Sequence, residues 1–156
     1  MNEEGSGSPL FVQLDKLFEL HALRGMAIIR NDTLIYSAYG KRVDTLDLHA
    51  SFSVAKSFTS ALIGIAINEG HIKGARQPVV EIIPELKGIP QAEHLRIEHL
   101  LNMTSGILHK LQTDAVLYYG NDVKKALRQI EFRHRPGTVQ EYLNVNIQLL
   151  GIILQR

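Results

Sequence analysis

The stretch "SFSVAKSFTSALIGIAINEG", residues 51–70, decides the fold. It opens polar and runs into the apolar block "ALIGIAI". The spacing predicts a helix from about Ser53 to Asn68, closed by Gly70 as the glycine that follows a helix end. The helix reads as buried, yet a lysine, Lys56, stands at its head, three residues after Ser53. A buried amine is costly unless it is paired or used. In a helix, residues three apart share a face and are separated by about 4.5 Å of rise. Ser53 and Lys56 are therefore expected to meet.

Around this helix the chain reads as one domain of 156 residues, long enough to bury roughly two-thirds of its unfolded surface. Residues 1–9 read as a flexible tail, and residues 10–156 as the folded part. Leu10, Leu14, Leu17, Phe18 and His21 recur at helical spacing and give a first amphipathic helix to about Ala22. "GMAIIR" (25–30) and "TLIYSAYG" (33–40) are strand-like runs joined by "ND", a hairpin signal. After the Ser53 helix come "QPVVEIIPEL", a short helix in "RIEHLLNM" (96–103), and a helix near 121–131 capped by Asn121 or Asp122. Pro136-Gly137 turns the chain into a last helix in "VNIQLLGIILQR". Two strands do not make a stable sheet alone. Two strands among about five helical pieces, with Ile152, Ile153 and Leu154 close to the end, read as the first part of a larger domain. Gly64, inside the central helix, reads as a close-packing site.

Composition excludes several function classes. Cysteine is absent, which removes disulfides, thiolate metal sites and a cysteine nucleophile. The net charge is +1 and the basic residues are scattered, with Arg133 and Arg135 around His134 a cluster too small for a nucleic-acid surface, so none is expected. No apolar run approaches the roughly 20 residues that span a bilayer, so no membrane association is expected. The start "MNEEGSGSPL" is acidic and lacks an apolar core, which points to a cytoplasmic protein unless an export signal was removed. His94 and His99 are five apart and no His-Glu-x-x-His pattern occurs, so the histidines read as structural or solvated and no metal or cofactor is expected. No glycine-rich phosphate loop occurs either.

Ser53 and Lys56 fit a specific chemistry. A serine hydroxyl needs a base to become a nucleophile, and a desolvated lysine of lowered pKa can serve. The helix N-terminus adds backbone N–H groups and dipole charge beside a developing oxyanion. The bland alternative makes Ser53 an N-cap and Lys56 a solvated first-turn lysine. Chance gives about 0.4 Ser-x-x-Lys matches in a chain of this composition, so the motif alone does not choose.

The wider pattern does. "SFSVAKSFTSALIGIAINEGHIK", "QPVVEIIPEL", "LRIEHLLNMTSGI" and "RPGTVQEYLNVNIQLLGIIL" follow one another in an order that resembles the serine β-lactamase-like superfamily. Within it the chain looks most similar to class C β-lactamase-related esterases and aminohexanoate-oligomer hydrolases. The resemblance covers about residues 20–156. It implies the first portion of an α/β (α+β) sandwich, with two antiparallel strands and a helical subdomain. It also implies a serine hydrolase that cleaves a small ester or amide through an acyl-enzyme. Ser53 would be the acylated nucleophile and Lys56 its base or proton relay. The family's Tyr-x-Asn motif has two candidates, Tyr119-Gly120-Asn121 and Tyr142-Leu143-Asn144. The second follows a Pro-Gly-Thr turn and precedes Leu-Leu-Gly, as the family pattern does. Tyr142 would then shuttle protons, and Asn144 would bind the substrate carbonyl or hold Lys56.

Two departures stand out. Leu143 replaces a common serine and is expected to alter the pocket wall. The family's third motif, a Lys-Thr-Gly or His-x-Gly triad on a later strand, has no counterpart here. Residues 1–156 alone are therefore expected to be inactive and prone to associate. Thr104-Ser105-Gly106 reads as a structural turn. The rival reading from another class is a catalytically inactive binding or scaffold relative that keeps the fold, separable by whether Ser53 takes up a covalent serine probe.

Overall fold

A computed structural model describes residues 9–21, 23–110, 115, 119–120 and 122–156. The flexible tail expected over 1–9 and the candidate cap Asn121 lie almost wholly outside the described residues. The chain divides into two compact units, residues 1–50 and 51–156.

The first unit contains helix α1 (Pro9–His21) and an antiparallel hairpin, β1 (Gly25–Arg30) and β2 (Thr33–Tyr39). Asn31 and Asp32 carry φ of 50° and 57°, the left-handed pair that a two-residue hairpin turn needs. Asn and Asp tolerate that region better than most side chains. Pairing runs from Arg30↔Thr33 to Gly25↔Tyr39, with a register shift between Ile28 and Ile29. Helix α1 is tied to β2 by the Tyr36 hydroxyl donating to Asp15 Oδ1 at 2.7 Å and by stacking of Phe11 on Tyr36, ring centroids 5.4 Å apart.

The second unit begins with a 3₁₀ turn, Phe52–Val54, which runs into α2 (Ala55–Asn68). Ser53 thus lies in the tight turn that leads into the helix, not in its first α turn. Gly70, at φ +80°, ends α2 as read from the sequence. The His71 N–H donates to Ala66 O and the Gly70 N–H to Ile67 O, satisfying two carbonyls that a helix end otherwise leaves open. There follow α3 (Val79–Ile82), 3₁₀ turns at Pro84–Leu86 and Ala92–His94, α4 (Ile97–Leu101), α5 (Val123–Arg128) and α6 (Asn144–Gln155). Asp122 is the cap of α5, its Oδ1 accepting from Lys125 N–H at 2.9 Å. The core draws on all of these. Ile63, Val79, Ile83, Leu86, Leu100, Leu127 and Leu149 are among its buried members.

Helix α2 is less buried than its sequence suggests. It is apolar on two faces, and only one of them is covered. Ile63 is its single buried residue and α2 packs on α6. Phe58, Leu62 and Ile65, at helical spacing, are exposed. Periodicity reports that a helix has two apolar faces but not which of them finds a partner. Gly64 is not a close-packing site either, because a methyl group built on it would meet nothing within 4 Å.

The turn after α4 organises the unit. Met103 O accepts from Glu141 N–H, Thr104 O from Gly137 N–H, and Gly106 O from the N–H groups of Arg133 and His134. Gly106 has φ +70°, and an added Cβ would lie 2.3 Å from His134 O. Both the left-handed backbone and the backbone contact therefore exclude a side chain. Gly106→Ala is expected to lower unfolding free energy by about 2–4 kcal/mol, measured by urea titration. A loss under about 0.5 kcal/mol, the scale of a neutral surface change, would show that the turn yields freely.

Arg156, at the end of α6, grips Glu85 with two hydrogen bonds of 2.9 and 2.7 Å and donates to Ile82 O at 3.0 Å. The Glu85 side chain is only 11% exposed, and the guanidinium lowers its pKa to about 2. A depressed carboxyl pKa means that this stabilisation is complete above about pH 4.5, the unfolded value, and is lost as pH falls through about 2. The expected loss over that window is about 1–3 kcal/mol. Stability measured against pH in wild type and Arg156→Ala checks it. Parallel curves would remove the pair from the acid response.

Candidate active site

Burial alternates where the chain enters α6. Leu143 and Val145 are buried while Tyr142 and Asn144 are exposed. Leu143, expected from the sequence to alter the pocket wall, is buried in the hydrophobic core. Tyr142 is thereby presented on the outer side of the α6 N-terminus. The covered face of α2 packs against this helix.

There the Ser53 hydroxyl oxygen sits between two donors. Lys56 Nζ lies at 3.1 Å and the Tyr142 hydroxyl at 2.9 Å. The ammonium also stands 5.2 Å from the Tyr142 ring centroid, a cation–π distance. Three groups taken from the sequence as nucleophile, base and proton shuttle are thus within hydrogen-bond reach of one another. Lys56 is half-buried, so the penalty expected of a fully buried amine does not arise. The hydrogen bond shared with Ser53, and then that with the Lys56 ammonium, hold the Tyr142 phenol below the ordinary tyrosine range, with desolvation opposing them. Of the two Tyr-x-Asn candidates, Tyr142 is the tyrosine that reaches Ser53, while Tyr119 is exposed. Asn144 opens α6 with its side chain exposed and makes no hydrogen bond to Lys56 among the described residues.

Phe52, immediately before Ser53, was not singled out by its sequence context. It has φ +45°, an outlier for a bulky residue, and it is exposed. Strain of this kind persists only where the surroundings impose it and clusters at functional sites. No glycine or asparagine marked the position, so the sequence carried no signal for it. His99 is half-buried and accepts the Arg96 N–H on Nδ1 at 3.2 Å, capping α4. Burial, more than any neighbouring charge, holds its pKa below the usual histidine value. No helix among the described residues is long and apolar enough to cross a membrane.

Known proteins resemble this chain in sequence and in fold. The Beta-lactamase family model matches residues 14–156. Protein flp of Staphylococcus aureus strain N315 is 31% identical over 164 residues, which cover 92% of this chain and 32% of that protein. A class C beta-lactamase superposes with a TM-score of 0.76 at 24% identity, covering 98% of this chain and 45% of its own. A Bacillus anthracis protein assigned as a 6-aminohexanoate-dimer hydrolase superposes with a TM-score of 0.72 at 21% identity, covering 91% and 42%. At these identities the superpositions establish the fold. The chain spans about a third of the curated relative and under half of the solved structures.

Proposed function

From the premise that the chain belongs to the Beta-lactamase family, we propose that it carries the nucleophile and proton-transfer groups of a serine hydrolase. The substrate class is a small ester or amide, and the reaction passes through an acyl-enzyme on Ser53. The observation that supports this best is the Ser53 oxygen held at 3.1 Å from Lys56 Nζ and 2.9 Å from the Tyr142 hydroxyl.

In this reading the ionised Tyr142 takes the Ser53 proton as Oγ adds to the substrate carbonyl. The tetrahedral intermediate collapses, and the same proton passes from Tyr142 to the departing alcohol or amine. Water then adds to the acyl-Ser53 ester with Tyr142 again accepting a proton, and Ser53 recovers its hydrogen as the acid leaves. Lys56 favours the phenolate through its charge and steadies the serine oxygen. Asn144, exposed beside Tyr142, binds the substrate carbonyl in this reading.

The test is incubation of the chain with a fluorophosphonate for hours, followed by intact mass and peptide mapping. One adduct on Ser53 is expected. No adduct, or an adduct on another serine, sinks the reading and leaves the binding-protein alternative. Lys56→Arg is expected to be nearly as damaging as Lys56→Ala. The planar, larger guanidinium keeps the charge but not the compact ammonium's position beside the serine oxygen and the phenol. Near-normal labelling of the arginine variant would reduce Lys56 to a generic cation.

A further inference from the structure

The segment that carries Tyr142 is fastened on both sides of that residue, and both fastenings are on Met103. Just before Tyr142, the Glu141 N–H donates to Met103 O at 2.8 Å. One turn after it, Asn146 Nδ2 donates to Met103 Sδ at 3.2 Å. Neither partner is what stability alone would select. Asn146 is 0% exposed and its Oδ1 has no hydrogen-bond partner among the described residues. An apolar residue of that size would avoid the cost of a buried unpaired oxygen. Met103 has φ +57°, a region that residues with a Cβ rarely adopt. Two unfavourable features thus converge on one contact.

Tyr142 needs an outside hold. It is 62% exposed, so its ring is not fixed by packing, and Ser53 and Lys56 touch only its polar end and face. The backbone on either side must set where the hydroxyl lands. We propose that the Met103–Asn146 contact, with the Met103 carbonyl, is a clamp that positions Tyr142 against Ser53. Met103 and Asn146 are positioning residues in this scheme and touch no substrate. The inference rests on the reading of Tyr142 as the proton carrier.

Met103→Leu and Asn146→Leu each delete the side-chain contact, and the double variant deletes it once. Tyrosine labelled with ¹³C at Cζ, with Tyr142→Phe to assign the signal, reads the Tyr142 titration directly and needs no turnover. Fluorophosphonate labelling reads the reaction. In both single variants the Tyr142 midpoint is expected to rise toward the ordinary tyrosine value. Labelling should slow by roughly tenfold to a hundredfold, the scale of an ångström-sized misplacement. The double variant should be no worse than the singles, since partners in one contact are not additive. Met103→Leu nearly conserves volume at a half-buried position, so it decides the matter if Asn146→Leu fails to fold. A folded Met103→Leu protein with a wild-type Tyr142 titration and labelling rate overturns the clamp. If Tyr142→Phe labels as fast as wild type, the reading of Tyr142 as proton carrier fails instead, while the titrations still report whether the clamp sets the phenol.

Discussion

Ser53→Ala is expected to abolish covalent labelling, with the fold unchanged. Nothing else in the site can replace the attacking oxygen. The Tyr142 hydroxyl is 2.9 Å away but is the group assigned to receive the proton, and Lys56 Nζ is a donor at 3.1 Å. Ser53 is exposed and caps no helix by its side chain, so its removal should move the thermal midpoint little. That combination separates this serine from a structural N-cap, whose loss would cost about 1 kcal/mol and leave chemistry alone. Equal labelling of wild type and variant would return Ser53 to the structural role.

The elements that were legible in the sequence share a local cause. The hairpin turn needed two residues that accept positive φ, and Asn31-Asp32 supply them. Gly70 ends α2 because its backbone conformation is the one a helix end requires. Ser53 and Lys56 meet at 3.1 Å because residues three apart also share a side across the 3₁₀ turn that leads into α2. The choice of Tyr142 over Tyr119 did not come from local physics, because both triplets are equally good as triplets. It needed the order of blocks along the chain. What stayed hidden depends on tertiary partners. The open face of α2, the core position of Leu143 and the strained φ of Phe52 and Met103 leave no periodic trace. The turn at residues 103–106 was legible as a turn, but its grip on the run leading to Tyr142 spans more than thirty positions.

Tyr142→Phe is expected to slow acylation by about 10²–10⁴, the range of a general acid–base group, while Tyr119→Phe leaves the rate within about twofold. The ring, its packing and the cation–π contact with Lys56 at 5.2 Å survive the change to phenylalanine. What disappears is the hydroxyl that bonds Ser53. The rate loss therefore measures proton transfer and not structure, and the thermal midpoint should stay near wild type. The pH profile gives the sign. Since the phenol lies below the ordinary tyrosine value because Ser53 and Lys56 bond to it, acylation should rise with pH through that lowered midpoint and level off above it. Lys56→Ala, which removes one of those bonds, should move the rise to higher pH as well as lower its height. Should Tyr119→Phe prove the more damaging change, the proton carrier would belong to the other Tyr-x-Asn triplet. The Ser53–Tyr142 bond would then be a structural contact.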